Sequence, residues 1–254
     1  MTDGLFTLKA SVPKDLPPGT KGVALDPVAY GFQCGGADKY CSTAYSQLWQ
    51  HLGPGAVKKL RAKYGVDGRV AFVGFSAAHG FLNPLLASDA DRAEVSQVIL
   101  LDATFGGGKD GYVKAAKDAA AGKLSLVSVT SDKGSSDALN NGDYAWREFV
   151  LKPSGLVLAP ASPVAPMPKP GGGVLRAGEL WYYRYKDAEV HHWDMGQLLS
   201  PVVKAHLWRA GAGAKKTPWG WILAGLGAAA GLAYYWSVRK QAVESRYWKP
   251  RAAE

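Results

Sequence analysis

Four short apolar runs recur through the middle of the chain: Val70–Val73 (VAFV), Val95–Leu101 (VSQVILL), Leu124–Thr130 (LSLVSVT) and Leu180–Lys186 (LWYYRYK). Each predicts a buried strand. Gly22–Tyr30 (GVALDPVAY) is a fifth candidate, although Pro27 points to an edge or a bend there. Between the runs lie helical patterns over Thr43–His51, Pro54–Tyr64 and the Ala-rich Asp110–Ala121, and an amphipathic one over Met195–Trp208. Pro54–Tyr64 has Pro early and Gly65 just past its end, as helix start and stop signals require. Continuous apolar strands alternating with helices predict an α/β fold, with a mostly parallel sheet covered by helices on both faces.

Reactive groups in such sheets gather at the carboxyl ends of the strands. Gly74-Phe75-Ser76-Ala77-Ala78-His79-Gly80 follows directly on Val70–Val73. A serine between small residues at a strand-to-helix turn is how a nucleophilic hydroxyl is held out of the backbone. Gly74 and Ala78 let the helix pass close to the strand, and the Ala77 N–H is available to a developing oxyanion. The pattern is G-x-S-x-A, with Ala78 at the position usually held by glycine. Asp132 closes the Leu124–Thr130 strand, and His191 and His192 follow the last one. The chain order is therefore Ser, Asp, His.

That order, on those strand ends, resembles the α/β-hydrolase superfamily over roughly residues 20–210. The resemblance implies Ser76 as nucleophile, Asp132 as acid and one of His191 and His192 as general base, with His192 favoured as the residue nearer the helix start. The base takes the serine proton near neutral pH, and the carboxylate fixes its tautomer and steadies its charge. Asp102, at the end of the preceding strand, is the rival acid. The second oxyanion donor is expected from Gly31-Phe32-Gln33-Cys34-Gly35-Gly36, as the N–H of Phe32 or Gln33, although the family's usual His-Gly pair is missing there. His79 is expected to point along its helix, and His51 and His206 to be structural. No His/Cys/Asp/Glu grouping has metal-ligand spacing, and no cofactor is implied.

The reading is a serine hydrolase that cleaves an ester, thioester or amide, with a small-molecule or lipid-like acyl substrate. The alternative is a catalytically inactive hydrolase-like domain serving as a membrane-bound binding or structural component, which the altered elbow and missing His-Gly pair favour.

The carboxy-terminal end carries a separate signal. Trp219–Trp236 (WGWILAGLGAAAGLAYYW) is eighteen residues without a charge. At about 1.5 Å per residue this is just enough to cross a bilayer core. Trp219 and Trp221 stand at one edge and Tyr234, Tyr235 and Trp236 at the other, as at membrane–water interfaces. Gly227 and Gly231 form a small-xxx-small pattern able to pack against a second helix. The expected organisation is a hydrolase-like domain over 1–210 (with a Pro/Gly-rich insertion or lid at 153–173), a linker over 211–218, a transmembrane helix over 219–236 and a basic tail over 237–254.

Charge agrees with this division. Of the 30 Lys+Arg and 21 Asp+Glu, seven and two fall in 211–254, which leaves 23 and 19 in residues 1–210; the net charges are +5 and +4. The larger part is no nucleic-acid footprint, and the basic tail suits anionic headgroups. Met1–Ala10 is mixed and has no apolar core, so no signal peptide is expected; a lone carboxy-terminal span implies a single-pass anchor with the catalytic domain in the cytoplasm. Cys34 and Cys41 are close enough in sequence for a small disulfide, but in a cytoplasmic domain they are expected as reduced thiols.

Overall fold

The computed structural model describes residues 1–36, 41–105, 109–139 and 141–208. They belong to a unit that runs from Met1 to Ala214. The linker, transmembrane helix and basic tail expected from the sequence lie outside the described residues, and so does the Gly227/Gly231 pattern. Among the described residues, no helix is long and apolar enough to cross a membrane.

The strands are β1 (Asp3–Leu8), β2 (Thr20–Ala24), β3 (Val70–Phe75), β4 (Gln97–Leu101), β5 (Ser125–Asp132), β6 (Ala159–Ala161), β7 (Val174–Ala177) and β8 (Leu180–Lys186). They form one eight-stranded sheet in the order β2-β1-β3-β4-β5-β8-β7-β6. All pairings from β2 to β8 are parallel, and β7 pairs antiparallel with both β8 and β6. The helices are α1 (Ser42–Leu52), α2 (Ala56–Tyr64), α3 (His79–Ala87), α4 (Asp89–Ala93), α5 (Asp110–Ala120), α6 (Gly142–Trp146), α7 (Lys152–Ser154) and α8 (Leu199–His206). A π-helical turn, Arg147–Leu151, joins α6 to α7.

The continuous apolar runs follow from burial on both faces. Alternate residues of each central strand supply two cores. Phe6, Phe72, Val98, Leu100 and Leu126 pack with Leu48, Leu85, Tyr112 and Trp146 from the helices on one face. Leu5, Ala71, Val73, Ile99, Leu101, Val127 and Val129 pack with Met195, Val202 and Val203 on the other. Polar side chains are nearly excluded from β4, where all five residues are buried.

Three parts of the chain read differently in three dimensions. Residues 3–8 make a fully integrated strand, β1, which pairs with β3 through Gly4↔Val70 to Leu8↔Gly74. The Gly22–Tyr30 strand is shorter than expected: β2 stops at Ala24, and Pro27 opens a 3-10 turn over Pro27–Tyr30. The insertion at 153–173 does not stand free. It carries β6 and feeds β7, which extends the sheet past β8, on the side away from β3. Pro160 is tolerated in β6 because that strand is an edge. Met167 turns into the second core, whereas Val157 is exposed.

Candidate active site

Ser76 sits at the carboxyl end of β3, in the first residue of a 3-10 turn (Ser76–Ala78) that runs directly into α3. Its φ is +51°, in the left-handed region that a side chain adopts only when its surroundings enforce it. The local sequence explains how. A Cβ on Gly74 would lie 2.9 Å from the Ala78 Cβ, so strand and helix can approach this closely only with glycine at the first position. Ala78 itself is fully buried, and a methyl group is accommodated where glycine is usual. Ala77 follows in the first turn, where helix N–H groups have no partner within the helix.

His192 opens the 3-10 turn His192–Leu198 beyond β8. Its Nε2 lies 3.2 Å from Ser76 Oγ, and its Nδ1 lies 2.8 Å from Asp102 Oδ2. All three side chains are buried. The chain thus brings serine, imidazole and carboxylate into one hydrogen-bonded line, with Asp102 and not Asp132 at its end.

Asp102 follows β4, the sheet neighbour of β3, and its φ of +49° turns its side chain out of the strand direction. Ser131 Oγ donates to Asp102 Oδ2 at 2.6 Å, and the Ser131 N–H reaches Oδ1 at 3.4 Å. Gly142, the first residue of α6, packs against the same carboxyl; a Cβ there would lie 2.9 Å from the Asp102 carboxyl carbon. The carboxylate is therefore held from β5 and α6 as well as from its own strand.

Asp132 is a correction to the sequence reading. Its Oδ1 accepts from Gly134 N at 2.9 Å and from Asn141 Nδ2 at 3.1 Å, which makes it a turn-capping residue. The physical reason is strand length. β5 continues three residues past Val129, the partner of Leu101, so that Asp132 is carried beyond the level of Asp102. His191 is likewise elsewhere: it caps the turn that His192 begins, and its Nε2 lies 3.6 Å from Asp187 Oδ2.

Phe32 and Gln33, expected as second oxyanion donors, do not lie in the loop next to β3. The Phe32 N–H already donates to Pro27 O at 3.1 Å, and the Phe32 ring packs against His51, at 5.9 Å between centroids. Gln33 lies exposed in the same loop, which follows β2, and β1 separates β2 from β3. The loop that adjoins β3 on this side follows β1 and begins at Lys9, whose φ is +53°. The Lys9 N–H donates to Tyr45 Oη of α1 at 2.6 Å. A short apolar run, Leu5-Phe6-Thr7-Leu8, was the available signal for this strand.

Aromatic rings enclose the imidazole. Phe75 stacks on His192 at 5.0 Å, and Phe105 and Trp193 meet it edge-on, each at 4.8 Å. Trp193 is half exposed and forms part of the rim. Behind the serine, His79 Nδ1–H donates to Ser76 O at 3.2 Å. Burial, assisted by the nearby Lys109 and Lys9 ammonium groups, pushes this imidazole down to about 4, so it is neutral at pH 7. His206 bonds Tyr183 Oη through Nε2 at 2.9 Å in the second core. Among the described residues no His/Cys/Asp/Glu group could hold a metal ion.

Cys34 and Cys41 are joined in a disulfide, not held as thiols, with Cα atoms 4.7 Å apart. The bond ties the loop after β2 to the start of α1, the helix that carries Tyr45. A cleft of about 640 Å³, lined by Asp3, Arg61, Arg69 and Glu94, lies at the opposite, amino-terminal end of the strands. Its charges are paired with each other, Arg69 with Asp3 at 2.7 Å and Arg61 with Glu94 at 3.5 Å.

No protein family, curated protein or solved structure matches the chain significantly. The chemistry must be argued from the site itself.

Proposed function

We propose that this chain is a serine hydrolase of the α/β-hydrolase type that cleaves an ester, thioester or amide through an acyl-enzyme on Ser76. The observation that carries the reading is the line Ser76 Oγ–His192 Nε2, His192 Nδ1–Asp102 Oδ2, on the end of a strand that leads into a helix. His192 takes the proton of Ser76 as Oγ bonds to the substrate carbonyl carbon. The resulting imidazolium is steadied by Asp102, then gives its proton to the leaving oxygen, sulfur or nitrogen as that bond breaks. Water, deprotonated by the same imidazole, attacks the acyl-enzyme, and the proton returns to Ser76 as the acid leaves. Ala77 N–H supplies one oxyanion donor. The second is expected from the loop after β1, which lies beside the strand that carries Ser76; the Lys9 N–H there is engaged by Tyr45 Oη.

The deciding experiment is labelling of the folded protein with a fluorophosphonate, followed by peptide mapping. Modification at Ser76 supports the reading. A folded protein that resists the probe is the inactive binding or structural component.

Gly142 offers a check on the acid. Gly142→Ala is expected to push the Asp102 carboxyl away from His192 and to lower kcat/KM by about 10- to 100-fold, with a loss of roughly 1–3 kcal/mol in stability from overpacking. Ester kinetics beside thermal unfolding measure both. Unchanged kinetics would mean that the carboxylate tolerates displacement.

Residues 219–236 are proposed as the membrane anchor, on their uncharged length and aromatic edges. Full-length protein is expected to resist carbonate extraction and to dissolve in detergent, and truncation near Gly211 to release a folded domain. Recovery of the intact chain in the carbonate supernatant would refute the anchor. The side of the membrane can be read from the thiols. A Cys34–Cys41 bond that persists in cells would place the domain on the oxidising face rather than in the cytoplasm.

A further inference from the structure

Asp143 is a fully buried carboxylate that the proposed reaction does not use. It is the second residue of α6, directly after the glycine that packs on Asp102. Its Oδ1 accepts from Arg184 Nε at 2.9 Å, from Thr130 Oγ1 at 3.3 Å and from Tyr182 Oη. Its Oδ2 accepts from Arg147 Nε at 2.9 Å and from Arg184 Nη2 at 3.3 Å. Burial alone would raise this carboxyl, but Arg184, Tyr182 and Arg147 hold it below the ordinary carboxylate value, so it is ionised at pH 7. Thr130 and Arg184 are register partners on β5 and β8, and Tyr182 lies two residues before Arg184 on the same face. The start of α6 is thereby fixed to two strands at once.

Such a group is a weak source of stability. A buried carboxylate gives up its water, and its ion pairs recover little more than that loss. What it provides is a fixed position, because donors on separate elements must all be met together. That position matters at Asp102. Its Oδ2 carries the short bonds, to His192 and Ser131, whereas Oδ1 is met by the Ser131 N–H at the longer 3.4 Å. Rotation of the carboxyl about its Cβ–Cγ bond is opposed by Gly142, whose own carbonyl accepts from Thr104 Oγ1 at 3.0 Å. A shift of α6 therefore passes directly to the carboxyl. Adjacent residues of β5 serve the two aspartates, Thr130 bonding Asp143 and Ser131 bonding Asp102.

Resting on the hydrolase reading, we infer that Asp143 and Arg184 are positioning residues: through α6 they hold the Asp102 carboxylate in line with His192. The first test is the rate at which a fluorophosphonate labels Ser76 in the full-length protein in detergent. Asp143→Asn is expected to slow labelling by about 30-fold, since a carboxylate displaced by part of an ångström no longer meets Nδ1. In an Asp102→Asn background the same substitution is expected to change the rate by less than about twofold, because no carboxylate remains to be aimed. Arg184→Lys keeps the charge and loses the two-pronged grip; it is expected to stay folded and to slow labelling by about fivefold, again only where Asp102 is present. An equal slowing in both backgrounds would make the network a general support of the domain and overturn the inference. Unchanged labelling in folded Arg184→Lys and Asp143→Asn overturns it too. If Asp143→Asn does not fold, Arg184→Lys carries the decision.

The second test does not depend on turnover. An imidazole N–H bonded to a carboxylate gives a proton resonance at low field, and that of His192 is identified by its absence from Asp102→Asn. It is expected to move upfield or vanish in Arg184→Lys while thermal unfolding shows an intact domain. If the unmodified protein resists the fluorophosphonate, the hydrolase reading falls separately and this resonance decides the inference alone. A displaced or missing resonance in the folded variant supports it. A resonance identical in Arg184→Lys, or none in the unmodified protein, overturns it.

Discussion

Ser76→Ala is expected to abolish fluorophosphonate labelling and to reduce ester hydrolysis by about 10³-fold or more, while the domain stays folded. The serine contributes one hydroxyl to the line through His192, and its removal leaves the turn intact. Alanine carries the same Cβ at the same backbone angle, so the φ of +51° is no harder to hold than before. The neighbours that enforce the turn, Gly74 and Ala78 against Leu82, are untouched. Circular dichroism and thermal unfolding check the fold, and kcat on a p-nitrophenyl ester checks the chemistry. Retained turnover in Ser76→Ala would move the nucleophile elsewhere and end the proposed mechanism.

The second large effect separates two aspartates that look alike in the sequence. Asp102→Asn is expected to lower kcat by about 10⁴-fold. An amide at that position can present its NH₂ to His192 Nδ1, which makes Nδ1 an acceptor and leaves the ring proton on Nε2. That nitrogen then faces Ser76 Oγ as a donor and cannot accept the serine proton. Asp132→Asn, by contrast, changes a partly exposed turn carboxyl bonded to Gly134 and Asn141, and its kcat is expected within about threefold of the unmodified protein. Side-by-side kinetics of the two variants decide the matter. Equal activity in Asp102→Asn, or a collapse in Asp132→Asn, would return the acid to the end of β5.

Much of the sheet was legible along the chain because burial on both faces writes itself as unbroken apolar runs. Val70–Val73, Val95–Leu101, Leu124–Thr130 and Leu180–Lys186 each contain or overlap a strand. β1 was not legible, since Leu5–Leu8 is only four residues long and lies in a polar amino terminus. That omission had a consequence for the site. With β2 taken as the first strand, the loop from Phe32 to Gln33 stood next to the strand of Ser76; with β1 between β2 and β3, the loop at Lys9 does.

The sequence by itself determined the features that depend on residues a few positions apart. These are the apolar strands, the helices that alternate with them, and the turn in which a serine stands between Gly74 and Ala78. Such features are local because backbone conformation, side-chain size and periodicity act over one or two turns. Only the tertiary structure decided which partners meet there. His191 and His192 are adjacent in the chain, yet one caps a turn at the surface and the other faces Ser76 from 116 positions away. Asp102 and Asp132 both follow apolar strands. The order of the strands, the three extra residues of β5 and the packing of Ser131 and Gly142 place the first against the imidazole and carry the second past it. Strand order and register come from contacts between distant segments, which no short window of sequence contains.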